Sequence, residues 1–286
     1  MSGEERMEAY EEKLRSKPTI PTTRISGSGK VHIEGIGEVR VAGAGFVSPE
    51  EIDISGSGSL PGGIRVKKVK CSGSISVEGD IEAEDMDFAG SADVEGHVKA
   101  GTLSTAGSFS AHGKVKANVM KSAGSSRVSS GIDADDTLRA AGTLRVLGDV
   151  KAKNLVDLRG AFQVDGEIVA DRFEARLSRH ESHVRGGIRA RDVDVRRKES
   201  EGLVIFGIPI LRRFFREGKL YTTSIIAEEK VYLENISCDN VQGRDVTIGQ
   251  GCNVRRKVTY SESISVHPTS TLAAPPEKLA SVRSGK

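Results

Sequence analysis

The chain has 286 residues and a formal net charge of +2, a length that admits one elongated domain or two compact ones. Trp is absent, aromatics are 4% and glycine numbers 33, which argues against a compact core of large rings and for sheet built from Val, Ile, Ala and Leu. Three cysteines without a C-x-x-C pair argue against a secreted disulfide framework, and no apolar run reaches the ~18–20 residues of a membrane-spanning helix.

Residues 1–24 place Met7, Tyr10 and Leu14 at helical spacing, but the run is short and ends at "KPTIPTT". A frayed helix with an extended linker is expected, or simply a tail. The segment is charged and has no apolar stretch of the signal-peptide kind, so a soluble protein of a reducing cytoplasm, at most peripheral to a membrane, is expected. Residues 25–70 are expected to begin a stack of coils, with Val39/Val41 and Ile64/Val66 facing inward and "FVSPEEID" as an inserted loop.

The body of the chain repeats. Gly79, Gly96, Gly113, Gly131, Gly148 and Gly166 are separated by 17, 17, 18, 17 and 18 residues. Gly56, Gly73, Gly90, Gly107, Gly124, Gly142 and Gly160 keep step with them. Within one unit, apolar residues fall in pairs spaced i, i+2: Ile75/Val77, Ile81/Ala83, Met86/Phe88. That is the period of a strand with one buried face. The best-kept pairs begin at Ile81, Val98, Val115, Ile132, Val150, Ile168 and Ile188, each followed two residues on by Ala.

Three short strands per 17–18 residues predict a triangular coil, and stacked coils predict an all-β, single-stranded parallel β-helix. One coil cannot bury its own inner face; stacking creates the core. Glycine at corners allows φ > 0 and backbone packed on backbone. Small Ala at the second inward site suits a narrow interior. Between the inward residues, Glu82, Lys99, Lys116, Asp133, Lys151, Val169 and Arg189 should form one outward ladder. Right-handed crossover is the general rule for parallel strands, and the strict hexapeptide period of left-handed coils is not kept, but the sequence alone does not fix the hand.

The expected domain plan is a tail at 1–24, β-helix repeats at 25–200, an apolar and basic insertion at 201–224, further coils at 225–267, and a flexible tail at 268–286. The insertion contains "EGLVIFGIPILRRFFREGKL". Phe206, Ile208, Ile210, Leu211, Phe214 and Phe215, with Arg212 and Arg213 beside them, are the candidate contact with a membrane surface or protein partner. The competing reading is an edge strand or short helix packed on the protein's own coils. Beyond it, Val231/Leu233, Val246/Ile248 and Val258/Tyr260 are inward candidates.

Motifs of catalysis are not found. "GSGK" at Gly27–Lys30 lacks the spacing of a phosphate loop, and no G-x-S-x-G elbow occurs. His180 and His183 are spaced by three without a third ligand one coil away; His97 and His112 lie on adjacent turns at expected surface positions. Glu82/Glu84/Asp85 and Asp133/Asp135/Asp136 fall on outward or corner positions, where no pocket would split their pKa values. Cys71 shares an inward column with Phe88, the place of a small buried side chain. The basic stretch 176–198 has Phe173 as its one aromatic neighbour, so nucleic acid is not an expected partner. No metal, cofactor or enzymatic activity is expected.

The G-x-[IV]-x-A step in "GDIEAEDM", "GHVKAGTL", "GKVKANVM" and "GEIVADRF" resembles that of the bactofilins, polymer-forming cytoskeletal proteins. "VYLENISCDNVQGRDVTIGQGCNV" is similar to the closing segment of a longer branch of that family. The resemblance covers about 55–200 and 225–266, and 201–224 interrupts it. It implies a right-handed triangular β-helix, filaments that form without nucleotide, and a scaffolding role for protein clients, often at the inner face of the cell membrane. The expected function is therefore a homopolymer assembling through its ends, with contacts near 25–45 and 246–266. The alternatives are a peripheral membrane adaptor using 203–216, or a β-helix enzyme of acyltransferase or lyase type.

Overall fold

A rung of this chain alternates inward and outward residues in three short runs, and the interior forms only when rungs stack. The computed structural model describes residues 23–33, 37–197, 204–205, 208–209 and 218–279. It is all-β, a parallel β-solenoid of about 12 turns.

The long strands come first. They are β1 (Thr23–Ile33), β2 (Gly37–Val47), β3 (Glu51–Pro61), β4 (Ile64–Glu78), β5 (Ile81–Val94), β6 (Val98–Ala111), β7 (Val115–Val128) and β8 (Ile132–Val146). Then follow β9 (Val150–Ala152), β10 (Leu155–Val164), β11 (Ile168–Leu177), β12 (Ser182–Val184) and β13 (Ile188–Arg197). After a two-strand hairpin, β14 (Val204–Ile205) with β15 (Ile208–Pro209), come β16 (Leu220–Thr222), β17 (Ser224–Leu233), β18 (Ile236–Ile248) and β19 (Asn253–Val266). β20 (Thr271–Leu272) and β21 (Glu277–Lys278) close the order.

β5 shows the rung. Ile81/Ala83, Met86/Phe88 and Ala92/Val94 are buried, and the residues between the pairs point outward or turn corners. Three inward pairs make three faces. From β3 to β19 every ladder between successive rungs is parallel. One column runs Ile64, Ile81, Val98, Val115, Ile132, Val150, Ile168, Ile188, Ile225, Val241, Val258, each paired with the next or carried to it by β9. No member is more than 1% exposed.

The two glycine series solve different problems. Gly107 stands for the corner between the second and third faces: its φ is +124°, and an added Cβ would run into the carbonyl oxygen of Gly90 one rung away. The same holds along Gly56, Gly73, Gly90, Gly124, Gly142 and Gly160. At the next corner, Gly96, Gly113, Gly131, Gly148 and Gly166 do not need positive φ; their reason is closeness, since a Cβ would strike the neighbouring rung. Gly79, on the same corner, has both.

Three stretches depart from the sequence reading. Residues 25–47 are not parallel coil: β1 pairs antiparallel with β2, and β2 antiparallel with β3. "FVSPEEID" is no inserted loop but the turn between β2 and β3, where Ser48 Oγ accepts from the Glu51 N–H at 2.9 Å. The tail from Pro268 is laid on the stack as far as Leu279: β20 pairs with Asn253 and Val254, and β21 with Thr259 and Tyr260. Glycine-serine repeats and a proline-rich end carry little inward apolar signal, so hydrogen bonding to the rung below decides both.

Gly107→Ala should destabilise the chain by at least ~2 kcal/mol, because strain at positive φ adds to the backbone collision. Ala106→Ser, exposed beside it, should cost under ~0.5 kcal/mol. Urea denaturation of the two variants makes the comparison, and equal midpoints would contradict the corner packing.

Candidate functional site

The outward side chains are organised by the same stacking. Glu82, Lys99, Lys116, Asp133, Lys151, Val169 and Arg189 lie in one ladder. Glu82 is held from both sides, by Arg65 at 2.8 Å and Lys99 at 2.6 Å, and the Lys99 hydrogen bond leads in lowering its carboxyl pKa. Asp133 meets Lys114 at 3.0 Å and Asp135 meets Lys116 at 3.9 Å. These acids are neighbours of cations rather than of each other, so they are not a pair with divergent acid and base roles.

The histidines are structural in position. His97 donates its backbone N–H to Asp80 Oδ1 at 2.6 Å, and its Nδ1 accepts from the Lys114 N–H at 2.8 Å. His112 Nε2 lies 3.5 Å from Asp93. His183 stacks on Tyr221, ring centroids 5.1 Å apart, while His180 is on the corner before it. Among the described residues no group of three or more His, Cys, Asp or Glu could hold a metal ion. The basic stretch is largely neutralised from neighbouring rungs: Arg176 by Asp194, Arg185 by Asp165, Arg189 by Glu167, Arg191 by Asp171. Arg196 pairs with Asp194 and sits 4.7 Å from the Tyr232 ring centre.

All three cysteines are buried and unbridged. Cys71 stacks directly on Phe88. Burial pushes the Cys71 and Cys252 thiols up, and that of Cys238 up to about 12.

The insertion leaves the solenoid after Arg197 and returns at Gly218, and the column closes behind it as Ile188 pairs with Ile225. It issues from the corner occupied by Gly142 and Gly160 in earlier rungs. Phe206, Ile210, Leu211, Arg212, Arg213, Phe214 and Phe215 lie outside the described residues; the backbone of Ile208 is in β15. Among the described residues no helix is long and apolar enough to cross a membrane.

The ends of the stack differ from its middle. At the C-terminal end, among the described residues, β20 and β21 cover only four residues of β19, and Ser263–Val266 pair with β18 alone. The last apolar layer is therefore open: Val266 is 37% exposed and Leu279 40%, where Ile248, one rung inside Val266, is 1%. Tyr260, Ile264 and Leu272 are partly buried there. At the N-terminal end β1 pairs, among the described residues, with β2 only, and Ile25 and Val31 are partly buried. Periodicity in the sequence could not locate this opening, because it depends on what fails to follow the last rung.

The described residues form a long parallel β-solenoid whose last described layer leaves apolar side chains exposed. Residues 18–116 match the model of the Bactofilin family, described as polymer-forming cytoskeletal. The resemblance read from the G-x-[IV]-x-A steps thus holds over that part of the chain, and the class it implies is a polymer-forming cytoskeletal protein. Neither the curated proteins nor the solved structures give a match.

The Cys238 thiol gives a pH prediction. An unfolded thiol loses its proton near ~8.5, whereas the folded one holds it to about 12. Between these values the unfolded state binds fewer protons, so stability falls as pH rises. From pH 9 to 11 the wild type should lose about 1.4 kcal/mol per pH unit more than Cys238→Val. Urea denaturation at stepped pH measures the difference, and parallel curves would mean that water reaches the thiol.

Proposed function

We propose that this chain is a nucleotide-independent filament protein whose copies join through the ends of the solenoid and scaffold client proteins on the inner face of the cell membrane. The observation that carries the reading is the open last layer at β19: an unpaired strand edge beside Val266 and Leu279. A strand edge with free N–H and C=O groups is a template for another chain. Apolar surface left at the end of a core is covered when a second copy stacks on it. Contacts of this kind that do not close produce filaments rather than rings. β1 offers the matching edge at the other end. The family's description as polymer-forming agrees with this reading.

Electron microscopy of the purified chain without nucleotide should show filaments. Ile264→Lys with Val266→Lys, which places charge on the open layer, should leave short particles. Monodisperse particles of wild type across salt and concentration, or filaments from the double variant, would overturn the end-to-end reading.

A second reading is favoured by one observation. The strands on either side of the insertion pair directly, Ile188 with Ile225. The insertion's apolar and basic composition suits a membrane surface. Liposome flotation should carry the wild type upward with anionic vesicles and leave Phe206→Asp behind; equal flotation would remove the membrane role.

A further inference from the structure

Many outward cations in this solenoid meet a carboxylate on a neighbouring rung. Arg65–Glu82–Lys99, Arg189–Glu167, Arg191–Asp171 and Arg255–Asp239 are examples. Like charges also stand in register at Lys99/Lys116 and along Arg159/Arg176/Arg196, but each of those cations has a carboxylate partner. Two adjacent rungs bring cations together without one. Lys121 on β7 lies directly against Arg139 on β8, and Arg127 lies against Arg145. All four are exposed, and none has an ion pair or side-chain hydrogen bond among the described residues. Rungs stand about 4.8 Å apart, so each pair sets two like charges side by side, an arrangement that costs stability.

The two pairs flank one corner. Lys121 and Arg139 stand three residues before Gly124 and Gly142; Arg127 and Arg145 stand three after. On one side of the corner a shallow trough of about 580 Å³ runs past Lys121 and Arg139 over Ser122. On the other, a trough of about 490 Å³ runs past Ser108 and Ser125 to Arg127. The nearest carboxylate, Asp157 below Arg139, is already occupied by both terminal contacts of Arg159, at 3.0 and 3.2 Å. Asp87 is two rungs from Lys121.

We propose that this corner binds an acidic peptide segment of a partner protein, its carboxylates meeting the four cations and its backbone meeting the exposed hydroxyls of Ser108 and Ser125. A bilayer presents one plane, whereas these cations project from two faces that diverge at the corner. Single-stranded nucleic acid wants exposed rings to stack on; Phe109, the one aromatic lining either trough, is buried.

The test is fluorescence anisotropy of a labelled hexaglutamate peptide with the full chain. The first variant carries Lys121→Ser, Arg127→Ser, Arg139→Ser and Arg145→Ser. The control removes the same charge from paired cations, with Arg65→Ser, Lys99→Ser, Arg189→Ser and Arg191→Ser. The first variant should bind about tenfold more weakly or worse, and the control within about twofold of wild type. Because stacked like charges are relieved, the first variant should unfold at the same or a higher temperature than wild type, which separates lost binding from lost fold. No binding by wild type, equal weakening in both variants, or binding of phosphatidylglycerol vesicles but not hexaglutamate through the same four cations would each overturn the proposal. The readout is binding and does not depend on assembly.

Discussion

At the corner between the second and third faces, each rung rests its backbone on the backbone of the rung before, with no side chain between them. Gly90, Gly107 and Gly124 meet this way, and any Cβ there would occupy the place of a carbonyl oxygen. The close approach lets the strands on both sides keep their parallel hydrogen bonds without splaying. It also fixes the register: the glycine column aligns the rungs, and so aligns Ile81 with Val98 and Val115. The interior can then be narrow, filled mostly by Val, Ile, Leu and Ala, with Phe88 on Phe109 and Phe162 on Phe173 as its rings.

Because the register is fixed, the surface is a set of one-residue-wide columns, and electrostatics acts along them. Many cations in these columns meet a carboxylate on the same or a neighbouring rung. Exposed ion pairs of this sort are individually worth little, but their regularity makes the exceptions at Lys121/Arg139 and Arg127/Arg145 informative. Corners differ in what they admit. One is a two-residue turn at Glu84 and Asp85, another the Ala-Gly-Ser of 89–91, and the third the turn at Gly79 and Asp80. The 198–217 insertion issues from the second of these, after Arg197, where the glycine column has ended.

The legible part of the fold was the part with repetition in it. Glycines at 17- or 18-residue steps and Ile/Ala pairs locate rungs from Ile64 onward, and the outward ladder through Glu82 and Lys99 follows from the same register. The hairpin of β1 and β2 was not legible, since "ISGSGK" and "VAGAGF" look like worn copies of the repeat and strand direction leaves no mark in composition. The pairing of Thr271 and Glu277 on β19 was hidden by prolines, which interrupt a strand without preventing short contacts on either side. The C-terminal end was legible only as a region: a contact was expected near 246–266, but Ile264 and Val266 were not singled out, because their exposure depends on which strands pair beyond them.

The two reversals at the start of the chain have a consequence for any junction. β1 opposes β2 and β2 opposes β3, so β1 travels in the same sense as β3 and the parallel rungs after it. A copy added head to tail would bring β19 beside a strand of matching direction. Two copies meeting by like ends would instead set opposed strands together, with the different hydrogen-bond spacing that such pairs require. The N-terminal hairpin thus preserves the polarity of the stack at its outermost edge.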